Sequence, residues 1–297
     1  MKTLLKNTLV PILASRPVSA IASRFVKPGI PIFMMHRMDS GNQPYTGTHP
    51  DHLRRCLEYL ANRNYRFIAL EDLILALKND QPLPDKGVVF TVDDGFWDQA
   101  EIAAPIFLEY DCPATFFVIT GMLDRKLWPW DVKASHLIAS SNLEQIKITL
   151  GEQTYSLPLK NEHDRFNARK IIRDAMKELD NERMDDMLVE LAVATGNEIS
   201  ATPPDHHRPL TWDNARQLEK SGISFAPHSI THRMLSRLYD DTAANEIVGS
   251  WERLQNELAS PSPVFCYPTG RPVDYGQREV SILKDNGLIG AVSTVPA

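Results

Sequence analysis

Two adjacent carboxylates, Asp93 and Asp94, and two histidines four residues apart, His228 and His232, are the side chains whose types and spacing lend themselves to chemistry. The aspartates close the run Val88-Val89-Phe90-Thr91-Val92, which reads as a strand buried on both faces, and Gly95 behind them lets the backbone turn sharply. The histidines likewise follow an apolar stretch, Phe225-Ala226-Pro227. At a spacing of four, both imidazoles can face one side of a helical turn and reach one ion. A carboxylate with two imidazoles leaves open positions on an ion for water and substrate, acidifies the water and polarises a carbonyl oxygen, which suits amide or ester hydrolysis. Each half also has a plain reading. Asp-Gly is a common turn pair, and a lone histidine pair is a weak motif. Charge delivered at the carboxyl end of a buried strand argues the other way, because ligands of α/β sheets sit there.

The two halves together resemble the polysaccharide deacetylase family, the NodB-homology carbohydrate esterases. The family's Thr-Phe-Asp-Asp-Gly is matched by Thr91-Val92-Asp93-Asp94-Gly95 with one apolar exchange, and its His-Ser/Thr-x-x-His by His228-Ser229-Ile230-Thr231-His232. A Pro-Tyr-Gly loop after a strand is echoed by Phe265-Cys266-Tyr267-Pro268-Thr269-Gly270. The resemblance runs from about Ile30 to the end of the chain, with one insertion. It implies that Asp94, His228 and His232 hold a divalent metal, taken as Zn2+, and that Asp93 is the general base. It also implies that Tyr267, Pro268 and Thr269 form the substrate and oxyanion loop, with the backbone N–H of Thr269 as donor. Met35-His36-Arg37-Met38 fits loosely the Tyr-His-Arg-Val that ends the first strand in one branch of the family, which makes His36 the expected general acid. The plain alternative for His36 is a strand-end histidine satisfied by backbone. Where the family often carries an arginine two residues before the loop proline, this chain has Cys266, and Thr269 replaces a tyrosine. The group that orients Asp93 is therefore open, with Arg37 and Arg271 as substitutes.

The substrate class implied is an N-acetylated polysaccharide or glycan precursor, such as an exopolysaccharide. Two other classes compete. Two histidines and a carboxylate also hold non-haem iron, but that reading gives the second aspartate no task and sits poorly on a parallel sheet. A catalytically silent carbohydrate-binding module would be expected to have lost a ligand or the base, and none is lost.

To bring these residues together the chain alternates strand and helix, which implies a parallel sheet; with the resemblance, the expected fold is a distorted (β/α)7 barrel. Strands are expected at Pro31–Met35, Arg66–Leu70, Val88–Val92, Ala114–Thr120, up to His228, Val264–Tyr267 and Ile289–Thr294. Helices are expected to about Asn62, after Glu71, over Phe96–Tyr110, from Thr211 to Gly222, over Asp241–Leu258 and over Tyr275–Asn286. Between Met122 and His207 the periodicity changes to a hairpin around Gly151 and two amphipathic helices near 164–179 and 182–194, an insertion expected to wall one side of the cleft. Trp128 and Trp130 invite sugar stacking, although anchoring the insertion is the commoner use of buried tryptophan.

With 297 residues, 43% of them hydrophobic, the chain has material for one α/β barrel. A net charge of -6 argues against a nucleic-acid partner. Three scattered cysteines, Cys56, Cys112 and Cys266, form neither a disulfide framework nor a zinc knuckle and mildly favour a reducing compartment. Residues 1–28 are basic and apolar but contain no run of membrane-spanning length. They are expected to lie on a membrane surface, giving a cytoplasmic, membrane-associated protein, with a secretory signal and a secreted or periplasmic location as the rival.

Overall fold

A computed structural model describes residues 29–39, 41 and 45–294. The amino-terminal segment 1–28, with its expected membrane contact, lies outside the described residues.

Nine strands are described among these residues: β1 (Ile32–Met35), β2 (Arg66–Phe67), β3 (Gly87–Asp94), β4 (Ala114–Val118), β5 (Gln145–Leu150), β6 (Gln153–Pro158), β7 (Ser224–Pro227), β8 (Val264–Cys266) and β9 (Gly290–Val292). All but β5 and β6 pair in parallel, so seven parallel strands carry the fold. Their order is β1-β3-β4-β7, with β2 joining the start of β3, while β8 and β9 pair with each other. The Ser262 N–H donates to Phe225 O at 2.8 Å, which sets the start of β8 beside β7. Between β1 and β9 no backbone hydrogen bond is found among the described residues. A cavity of about 260 Å3 lies at that seam, lined by Ile32, Met34, Thr91, Asp93, Cys266 and Val292.

Every residue of β3 is buried, as its unbroken apolar run requires. Alternation divides its side chains between two clusters. Val89 joins Phe117, Ala226, Val264 and Cys266 on one face, where Leu70 and Leu73 of helix Leu70–Lys78 also pack. Val88, Phe90 and Val92 join Phe116, Phe225 and Phe265 on the other, facing the helices. The second strand is shorter than its sequence suggests, because helix Leu70–Lys78 begins immediately behind it with Glu71 and Asp72 in its first turn, where the helix dipole favours negative charge.

The stretch after Gly95 winds as a π-turn over Gln99–Ala103 before α-helix Ala104–Glu109. Pro105 explains the wide turn: it has no N–H for the carbonyl four residues back and its ring crowds that carbonyl, so the Ala104 N–H reaches Gln99 O instead.

The inserted segment is built separately. Helix Trp130–Ala139, the antiparallel hairpin β5-β6, helix Glu162–Glu178 and helix Met184–Thr195 enclose their own cluster, including Leu137, Ile148, Ile172 and Leu191. The hairpin turns at Gly151, φ +61°, and makes no pairing with the parallel strands among the described residues. Gly196, φ +69°, ends the last helix in the left-handed conformation that glycine adopts at least cost.

Candidate active site

Strand register decides which side chains meet. Met35 pairs with Val92, so His36 leaves β1 abreast of Asp93; Asp94 pairs with Val118, and Val118 with Pro227, so His228 follows at the same level. Asp93 points to the inner face with Val89 and Thr91. Asp94 would point away, but it sits at φ +88° with Gly95 at φ +93° behind it, and this turn swings the second carboxylate towards the histidines. Asp94 Oδ1 lies 3.8 Å from His228 Nε2 and 3.7 Å from His232 Nε2. The three ligand atoms all lie within 4.8 Å of one another, and all three residues are buried.

The histidine loop is held from several sides. The His228 N–H donates to Val118 O at 3.1 Å, prolonging the ladder beyond β7, and His228 Nδ1 is 2.8 Å from Cys266 O. Glu246, buried on helix Asp240–Glu257, accepts from the Ile230 N–H, the Thr231 N–H and the Thr231 hydroxyl at 2.8, 2.8 and 2.6 Å. Ser229 Oγ accepts from the His232 N–H at 3.0 Å. Ser229 and His232 both adopt left-handed backbone, at φ +64° and +63°. From the insertion, Trp130 Nε1 donates to His232 O at 2.8 Å, and Asp131 Oδ1 lies 3.4 Å from His232 Nδ1. On the strand side, Gln99 donates to the carbonyls of His36 and Asp93 and accepts from the Gly95 N–H at 3.1 Å, tying the ends of β1 and β3 together.

Burial dominates the electrostatics of the cluster. Burial raises the Asp93 carboxyl to about 7, opposed by His36 and reinforced by Asp94. Burial, with His232 nearby, drives the His228 imidazole well below its usual range. Burial works against charge on His232 too, yet Asp131 and Asp94 hold its imidazole above the usual range. Asp93 Oδ1, Asp94 Oδ1, Asp131 Oδ1 and His232 Nδ1 are four of the seven buried side-chain polar atoms without a hydrogen-bond partner among the described residues. Orphaned carboxylate oxygens are costly unless a cation shares them, and a carboxylate with two imidazoles is a donor set that suits zinc. The residues present therefore fit a divalent metal at Asp94, His228 and His232.

His36 Nε2 lies 4.0 Å from Asp93 Oδ2 with its side chain 48% exposed, so it stands in the open beside the carboxylate rather than against backbone. The loop after β8 places Pro268 and Thr269 close behind Cys266, with Thr269 at φ +58°. The Thr269 hydroxyl donates to Asp274, and Thr269 O accepts from Thr294 Oγ1 at 2.7 Å, while its N–H has no partner among the described residues. Contrary to expectation, the Tyr267 side chain lies away from the loop: its ring stacks on Tyr275 at 4.0 Å and 2° and meets Phe265 edge-on, because alternation along β8 turns it to the helix-facing core. Only its backbone is left for the loop.

Neither arginine considered for Asp93 pairs with it. Arg37 is paired with buried Asp98 and lies between the rings of Tyr45 and Phe96, and Arg271 is paired with Asp274 and Glu178. The partners of Asp93 are His36 and the Cys266 thiol, whose Sγ is 3.7 Å from Asp93 Oδ2. Trp128 and Trp130 are 2% and 3% exposed and present no face to a sugar; Trp128 donates to Ser200 O within the insertion, whereas Trp130 donates to His232 O and anchors the insertion there. The cavity of about 650 Å3 between the hairpin and helix Met184–Thr195 contains none of the clustered groups. Sequence reasoning missed Gln99, Asp131 and Glu246. Pro129 and Asp131 signal only a helix start, and nothing about Gln99 or Glu246 sets them apart.

Fold and site together define an α/β protein with a triad that could hold a cation and a second carboxylate beside it at the carboxyl ends of parallel strands. The chain belongs to the polysaccharide deacetylase family, whose model matches residues 80–289. It is 28% identical over 267 residues to YxkH of Bacillus subtilis (strain 168), a protein that carries the polysaccharide deacetylase name; the match covers 90% of this chain and 65% of that one. Among solved structures, it is similar to the Streptococcus pyogenes deacetylase PplD in complex with acetate, with TM-score 0.54, 19% identity, and 90% and 94% of the two chains covered. It is also similar to IcaB from Ammonifex degensii, with TM-score 0.53, 15% identity, and 88% and 82% covered. The deacetylase domain of BpsB from Bordetella bronchiseptica gives TM-score 0.53 and 15% identity, with 90% and 89% covered. At these identities the likeness establishes the shared fold.

Proposed function

We propose that this protein is a zinc-dependent hydrolase that removes acetyl groups from N-acetylated sugars of a polysaccharide or glycan precursor. The observation that carries the reading is the convergence of Asp94, His228 and His232 within 4.8 Å, with buried Asp93 next in the chain. Family membership supports the same chemistry. Zinc at Asp94, His228 and His232 supplies an acidified water and a Lewis acid for the acyl oxygen.

Asp93 takes the proton of the attacking water. Its burial suits this task, because a carboxyl raised to about 7 is a stronger base than an exposed one at working pH. The Thr269 N–H donates to the oxygen that gains charge as the acyl carbon becomes tetrahedral. His36, exposed beside Asp93, gives its proton to the leaving amine, and Gln99 fixes the backbone of both acid and base. The test is acetate release from a panel of N-acetylated oligosaccharides, with and without chelator. Release that stops with chelator and returns with zinc is expected; no release from any member, or release indifferent to chelator, overturns the reading.

A further inference from the structure

We propose that Asp131, delivered by the inserted segment, is a positioning residue for the His232 imidazole and through it sets the affinity of the metal site. The inference rests on the reading that His232 is a ligand.

Each histidine turns Nε2 towards Asp94, which leaves Nδ1 to an orienting partner. His228 finds the backbone carbonyl of Cys266 at 2.8 Å. His232 faces Asp131 Oδ1 at 3.4 Å, and neither atom has a hydrogen-bond partner among the described residues. The approach is enforced rather than incidental. Trp130, the preceding residue, donates its indole N–H to His232 O at 2.8 Å, so the first turn of helix Trp130–Ala139 holds the backbone of His232 while Asp131 faces its ring. An imidazole that binds an ion through Nε2 must carry its proton on Nδ1. A carboxylate there fixes that tautomer and the ring's direction and raises the basicity of the ligand, which typically alters metal affinity 10–100-fold.

The experiment measures zinc affinity by competition with a chromophoric chelator on metal-stripped wild-type protein, Asp131→Asn, Asp131→Ala and Asp131→Glu, each checked for folding by circular dichroism. Affinity about 10–100-fold weaker in the Asn and Ala variants, partly recovered by Glu, is expected. A second measurement needs no variant: in the zinc-loaded wild-type protein the His232 Nδ1 proton should give a slowly exchanging resonance. Wild-type affinity in the Asn and Ala variants, or rapid exchange of that proton, overturns the role of Asp131 alone. A wild-type protein that binds no zinc overturns the metal site and this inference with it.

Discussion

The parallel strands and the inserted segment solve the burial problem in opposite ways. β3 is buried along its whole length between two clusters, whereas β5 alternates exposed and buried residues over a single small core. A strand enclosed on both faces has only its ends to offer, and there the chain places Asp93, Asp94, His228 and the loop after Cys266. The insertion presents wide outer surfaces, including Val193 at 77% exposure, but it meets the Asp94-His228-His232 cluster at His232, through the first turn of one helix, at Trp130 and Asp131. Chemistry at the strand ends and support from the insertion are thus separable by substitution.

The largest effect belongs to the triad. His232→Ala should abolish both bound metal and turnover, read by metal analysis beside acetate release; full activity in the metal-free variant would break the division at once. Next comes Asp93→Asn, which should retain metal while losing about 10²-fold or more in rate, the usual worth of a positioned base. Asp94→Asn should instead weaken the metal itself, so equal metal loss in the two variants would mean that the carboxylates do not divide their work. His36→Gln should keep its metal and slow an amide substrate by about 10²-fold, with far less effect on an activated ester whose leaving group needs no proton. Equal loss on both substrates, or none, would leave His36 structural. The smallest effect is expected from Val193→Asp on the outer face of the insertion: stability within about 0.5 kcal/mol of wild type and unchanged turnover. A marked loss there would show that the insertion's outer helix shares in the reaction.

Much of this site was legible before any coordinates. The two motifs lead to Asp94, His228 and His232, and the register of β1 on β3 then sets His36 beside Asp93. The hairpin at Gly151 and the end of a helix at Gly196 were legible because glycine in left-handed backbone marks both. Long-range support was not. Gln99, Glu246 and Asp131 act through carbonyls, N–H groups and a ring nitrogen far along the chain or in another element, and no spacing rule reaches that far. The π-turn at Gln99–Ala103 escaped because apolar periodicity sees faces rather than hydrogen-bond partners. The resemblance points to an arginine beside Asp93, whereas Arg37 and Arg271 each have a nearer acid, Asp98 and Asp274.

Glu246 bears on what would follow if an ion left the triad. By gripping the backbone on both sides of the Ile230–Thr231 bond from a helix packed in the main core, it fixes the loop through contacts that owe nothing to the metal. Small zinc domains unfold when stripped, because their ligands are ordered only by the ion. Here folding has already met that ordering cost, so an ion held by the triad would be an exchangeable passenger, its identity set by whichever divalent cation the surroundings offer at the highest ratio of concentration to dissociation constant.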